Sequence, residues 1–109
     1  MDSFVEKGNL YELYGALLNE NQRKAYEYHI MEDMSFTEIG ENLGITRQAA
    51  SELFKRADKK LIKTERILGL QEKLMSLRQK ASKIYELSKQ DEVKKLAGEI
   101  INGIWKFIR

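Results

Sequence analysis

Apolar side chains recur at helical spacing along most of the chain. Leu10, Leu13, Tyr14 and Leu17 fall at i, i+3, i+4 and i+7, the stripe of an amphipathic helix. Gly15 inside that stripe costs about 1 kcal/mol relative to alanine, so this helix needs tertiary support. Asn19, followed three residues later by Gln22, has the form of a reciprocal capping box and opens a helix to about Met31, with Ala25, Tyr26 and Ile30 among its apolar residues. Glu32-Asp33-Met34 is a break. Ser35-Phe36-Thr37-Glu38 is a second capping box, opening a short helix through Leu43. Gly44 then sits where a helix ends in a left-handed residue, a conformation that glycine adopts cheaply. Thr46 caps the next helix, whose positions Ala50, Leu53, Phe54, Ala57 and Leu61 trace one face.

The pattern changes beyond residue 66. Ile67, Leu70, Leu74, Leu77, Ala81 and Ile84 alternate spacings of three and four, an a/d heptad register, with Gly69 breaking or bending the helix first. After a break at Ser88–Asp91, a last helix places Val93, Leu96, Ala97, Ile100, Ile104, Phe107 and Ile108 on one stripe. The expected fold is all-α. A helix-turn-helix bundle of about four helices fills residues 1–66, and residues 67–109 form a helical extension for packing and dimerisation. The absence of proline agrees with five or six helices.

The most informative segment is SFTEIGENLGITRQAASELFKR. In a helix-turn-helix two short helices cross steeply, which needs a small residue in the first helix, a tight glycine turn, and apolar residues around that turn. Gly40, Gly44, and the wedge of Ile39, Leu43, Ile45, Ala50 and Leu53 or Phe54 fill those slots. If the second helix enters a major groove, its outward residues are Thr46, Arg47, Gln48, Ser51, Glu52, Lys55 and Arg56. Arg47 suits guanine and Gln48 adenine, whereas Thr46, Lys55 and Arg56 suit phosphate. Glu52 either accepts from cytosine or repels the backbone. The alternative is three packed amphipathic helices with an ordinary solvated face.

Charge sharpens the picture a little. The net formal charge of +2 is unevenly spread, at −4 over residues 1–34, +2 over 35–68 and +4 over 69–109. Positive charge therefore begins where the helix-turn-helix begins, which suits a polyanionic partner. Candidate chemistry is sparse. With no cysteine and one histidine, His29, neither a disulfide nor a transition-metal site can be assembled, and His29 reads as a packing or surface residue. Glu32-Asp33 cannot face one substrate atom, and no phosphate-cradling loop or nucleophile–base pair is present. No catalytic residue, metal or cofactor is expected. The tyrosines read as core and rim. Trp105 and Phe107 beside Lys106 and Arg109 suit core packing or a subunit contact, with an interfacial membrane helix as the alternative. No apolar run is long enough for a membrane span, and the first ten residues do not resemble a signal peptide, so a cytoplasmic protein is expected.

From Leu17 to Leu61 the chain resembles the region-4 helix-turn-helix of bacterial sigma factors. Gln22-Arg23, the Ser35 cap, Ile39, Gly44, Thr46-Arg47 and the basic exit Lys55-Arg56…Lys59-Lys60 carry the likeness. Together with the YELYGALL helix and a helical tail, the chain is most similar to the small YlxM-like proteins of Gram-positive bacteria. Members of that family are often encoded beside the GTPase of the signal recognition particle. The resemblance implies a nucleic-acid-binding regulatory protein, with DNA or RNA as partner and a link to that particle. The other sigma-factor regions are missing, so the chain does not act as a complete sigma factor. A second reading is an adaptor that docks on the signal-recognition-particle GTPase or its RNA, reusing the helix-turn-helix as a shape. Homodimerisation is expected through the two stripes beyond residue 66. The alternative is that these stripes pack on each other as an antiparallel hairpin in a monomer.

Overall fold

A computed structural model describes residues 4–106. Among them are six α-helices: α1 (Phe4–Tyr14), α2 (Glu20–Ile30), α3 (Phe36–Leu43), α4 (Arg47–Leu68), α5 (Leu70–Leu87) and α6 (Asp91–Trp105). No strand occurs among the described residues. The chain divides into two compact units, Met1–Ile67 and Leu68–Arg109.

Local chemistry sets the helix starts in the first unit. Asn19 Oδ1 accepts from the Gln22 N–H at 2.8 Å, and Gln22 Oε1 accepts from the Asn19 N–H at 3.2 Å. The Ser35–Glu38 box closes in the same way, at 3.1 and 3.0 Å. These bonds favour the ionised Glu38 carboxylate and hold its pKa below the ordinary value. One detail departs from the stripe read in the sequence. α1 ends at Tyr14, and Gly15–Leu17 form a 3-10 turn. Because that turn advances three residues per revolution, Leu18 turns inward and Leu17 is left 52% exposed.

Leu10, Tyr14 and Leu18 pack with Tyr26 and Ile30 of α2 and with Phe54, Ala57 and Leu61 of α4. Ala25, Ile39 and Ala50 form a second cluster beneath the turn between α3 and α4. Aromatic rings join the two. Tyr26 stacks between Tyr11 and Phe54 with centroids 5.5 and 5.2 Å away. His29 lies 4.5 Å from the Phe36 ring and 4.6 Å from Phe54. Its Nδ1 is 2.9 Å from the Met34 carbonyl oxygen, which can only accept, so Nδ1 carries the proton. The single histidine is a packing residue.

α4 extends two turns past Leu61, farther than its apolar stripe indicated, and polar contacts from α1 explain why. Lys7 Nζ bridges both Asp58 carboxylate oxygens at 2.9 Å, and one α1 heptad later the Tyr14 hydroxyl donates to Glu65 Oε1 at 2.7 Å. The Tyr26 hydroxyl donates to the Lys7 carbonyl at 3.1 Å, and burial, with Asp58 nearby, pushes that phenol well above its usual range.

In the second unit α5 and α6 form an antiparallel hairpin. Arg78 stacks on the Trp105 ring at 4.5 Å, and Lys94 lies 5.5 Å from the Tyr85 ring. Trp105 makes this one ring contact and remains 44% exposed. Phe107, Ile108 and Arg109 lie outside the described residues. The hairpin covers one side of the heptad stripe: Ala81 of α5 and Ala97 and Ile104 of α6 are buried and Leu74 is half-buried, while Leu70, Leu77 and Ile84 remain 40–53% exposed.

Candidate nucleic-acid interface

The turn between α3 and α4 is built on two glycines. A Cβ on Gly40 would stand 2.7 Å from the Ile45 carbonyl oxygen and 3.2 Å from the Thr46 carbonyl group, so the turn rests directly on the α3 backbone. Gly44 has φ 71° and ψ 34°, the left-handed end of α3, and the Ile45 N–H reaches back to the Gly40 carbonyl at 2.9 Å. Thr46 Oγ1 then accepts from the Ala49 N–H at 3.0 Å and starts α4. Ile39 and Ala50, both fully buried, hold the two helices together.

This frame presents the first turns of α4 to solvent. Arg47, Gln48, Ser51, Glu52 and Lys55 line one open groove of about 520 Å³, with Phe36 of α3 on its wall. Five of the seven expected site residues are therefore brought together. Thr46 stands at the helix start with its hydroxyl engaged in the cap. Arg56 does not line the groove; its Nε lies 3.9 Å from Glu52 Oε2, an exposed ion pair one turn away.

A second groove of about 630 Å³ continues along the same helix, sharing Lys55 and adding Asp58, Lys59, Ile62, Lys63, Arg66 and Ile67. The acid in it is already neutralised by Lys7. Lys55, Lys59, Lys63 and Arg66 have no ion-pair partner among the described residues, whereas Lys60 donates to the Leu17 carbonyl at 2.8 Å. Lys59, Lys63 and Arg66 were not among the expected site residues. Their signal was the i, i+4 spacing from Lys55 and the three-residue step to Arg66, visible once the helix is known to continue. The basic stripe from Lys55 to Arg66 spans about 16 Å at 1.5 Å per residue.

No group of three or more His, Cys, Asp or Glu among the described residues is placed to hold a metal ion, and no described helix is long and apolar enough to cross a membrane. The arrangement presents bidentate and point-charge hydrogen-bond donors on a rigid helix. Residues 1–100 match the family described as "Putative helix-turn-helix protein, YlxM / p13 like". The chain belongs to this family. It is a helix-turn-helix family rather than an enzyme family. A relative from Caldanaerobacter subterraneus is 40% identical over 85 residues, 78% of this chain and 73% of its own. One from Thermoanaerobacter sp. strain X514 is 34% identical over 94% of both chains. A Fusobacterium nucleatum relative is 43% identical across 51% of this chain and 54% of its own. All three carry only the family designation UPF0122 as a name. No solved structure matches the chain.

Proposed function

We propose that the protein is a non-catalytic regulatory nucleic-acid-binding protein that seats the first turns of α4 in a duplex groove. The observation that carries this reading is the groove of Arg47, Gln48, Ser51, Glu52 and Lys55 on a helix fixed by the Gly40–Gly44 turn. Arg47 and Gln48 read base edges, Ser51 and Glu52 flank them, and Thr46 and Lys55 approach phosphate. Arg56 tempers Glu52. Lys59, Lys63 and Arg66 extend the phosphate contact along α4. Homodimerisation through residues 67–109 gives each assembly two such helices, and the protein works in the cytoplasm.

The test is fluorescence anisotropy with labelled duplex DNA and structured RNA. Arg47→Ala and Lys55→Ala each weaken binding without changing the helical circular dichroism spectrum. If neither weakens binding to any DNA or RNA, the assignment of α4 as the recognition helix is wrong. A second reading rests on Glu52, whose carboxylate lowers the positive field at the middle of the groove. Here the helix-turn-helix is a protein-docking shape for the signal-recognition-particle GTPase or its RNA. A pull-down after nuclease treatment separates the two: retained GTPase favours the adaptor, and loss of all partners on nuclease treatment favours nucleic acid.

A further inference from the structure

The hairpin leaves a specific set of side chains uncovered. Leu70 is 40% exposed, Leu77 53% and Ile84 49% on α5; Leu96 is 55% and Ile100 50% exposed on α6. At 100° per residue, Leu70, Leu77 and Ile84 form one line about a quarter-turn from the side of α5 that meets α6. Leu96 and Ile100 lie a similar angle from the side of α6 that meets α5. Because the helices are antiparallel, both lines emerge on the same side of the pair and make one apolar face. A Cβ on Gly103, in line with Ile100, would meet nothing within 4 Å, so the face carries a notch near its end.

The edges of this face differ in charge. The same helical period puts Lys73 and Lys80 along the outer edge of α5, and Glu92, Glu99 and, at its end, Lys106 along the outer edge of α6. Two copies can stack these faces with their two-fold axis either across or along the helices. An axis across the helices sets α5 on α5 and brings like-charged edges together. An axis along the helices sets α5 on the partner's α6, with every neighbouring helix antiparallel and Lys80 on the same side as the partner's Glu99. The contacts of Arg78 with Trp105 and of Tyr85 with Lys94 fix the levels along the pair. With the axis along the helices, Ile84 falls between Leu96 and Ile100 of the other copy. Leu77 falls near the Gly103 notch, and Lys80 lies within one helical turn of Glu99.

Resting on the homodimer proposed above, we infer that this face is the dimer interface and that its occupant is the same face of a second copy, in an all-antiparallel four-helix bundle. The charge match of Lys80 with Glu99 about one axis, beside the apolar line each hairpin leaves uncovered, is what selects a second copy over an unrelated partner. The dyad also explains why Leu70, Leu77 and Ile84 of α5 are apolar although their own hairpin does not cover them.

The full-length chain is measured by light scattering and sedimentation over 1–100 μM, with circular dichroism on every variant. The wild type gives twice the 12.7 kDa chain mass, and Ile84→Lys combined with Ile100→Lys gives the single-chain mass with unchanged helicity. Lys80→Glu and Glu99→Lys each weaken the dimer by about tenfold, and the two together restore it, since each swapped charge meets its swapped partner across the dyad. The two residues point away from each other within one hairpin, so restoration inside a single chain does not explain that result. A wild-type monomer at 100 μM removes the homodimer itself. A dimer that survives Ile84→Lys/Ile100→Lys keeps the homodimer but overturns this face, and failure of the double charge swap to restore overturns the axis along the helices.

Discussion

Unit Met1–Ile67 buries Tyr26, Leu10, Ile39 and Leu61 completely, whereas hairpin Leu68–Arg109 buries two alanines, one isoleucine and one glutamine among its described residues. Both are helical, and both were evident as amphipathic stripes. The first is closed by aromatic stacking, two capping boxes and a glycine turn that allow one packing of α3 on α4. The second is joined along Ala81, Ala97 and Ile104, with Leu70, Leu77, Ile84, Leu96 and Ile100 left at the surface. The contrast teaches that periodicity identifies helices but does not say which part of a stripe its nearest neighbour will cover. A unit with a filled core can act as a rigid platform; one with an uncovered apolar face is suited to association.

The sharpest way to test that contrast is truncation in each unit. Leu61→Ala removes a fully buried side chain and should cost about 2–5 kcal/mol in the midpoint of chemical unfolding. Ile84→Ala, half exposed in the hairpin, should cost under about 1 kcal/mol when the chain is kept dilute. Equal losses would mean that the hairpin is as closely packed as the helix-turn-helix.

Glycine substitutions sharpen it further. Gly40→Ala forces a Cβ against the Ile45 carbonyl and should cost about 1–3 kcal/mol. Gly44→Ala pays the left-handed penalty alone, about 1–2 kcal/mol, because the space beside it is open. In the hairpin the sign reverses. A Cβ on Gly98 makes an ordinary contact with Tyr85 at 3.9 Å, so Gly98→Ala should stabilise the chain by about 0.5–1 kcal/mol. Thermal unfolding of the three variants reads all these differences.

The smallest effect concerns pH. Burial and the Glu27 hydrogen bond push the Tyr11 phenol up to about 12, and burial pushes Tyr26 higher still. Both rings stay protonated in the folded first unit at pH values where the unfolded chain releases their protons. Stability from this source is full below about pH 10 and is lost as pH rises beyond it. Tyr26→Phe should flatten that alkaline loss in chemical unfolding followed against pH. An alkaline loss of full size in Tyr26→Phe would remove the link to burial.

The helix-turn-helix was legible because its signals are local: Asn19 with Gln22, Ser35 with Glu38, Gly40 and Gly44 all act within a few residues of themselves. What escaped depended on distant partners. Lys7 and Tyr14 reach Asp58 and Glu65, 51 residues away in each case, and the second of these holds α4 past its apolar stripe. That continuation carries Lys63 and Arg66 into line with Lys55. Leu17 misled because the 3-10 turn at Gly15 changes the register by one residue. At the site, the outward set was readable from helical period, but the Glu52–Arg56 pair and the position of Arg56 outside the groove are matters of side-chain placement.

The account turns on whether α4 neutralises phosphates, and the salt dependence of binding reports that most directly. Anisotropy titrations of a labelled duplex at 50–300 mM salt should give log K falling linearly with log salt. Contact by Lys55, Lys59, Lys63 and Arg66 predicts a slope of up to about −3.6 per protomer, at −0.9 per phosphate. Lys63→Ala should make the slope shallower by about 0.9, whereas Arg47→Ala should change discrimination between sequences and leave the slope near its original value. An affinity indifferent to salt, or a slope unchanged by Lys63→Ala, would contradict it.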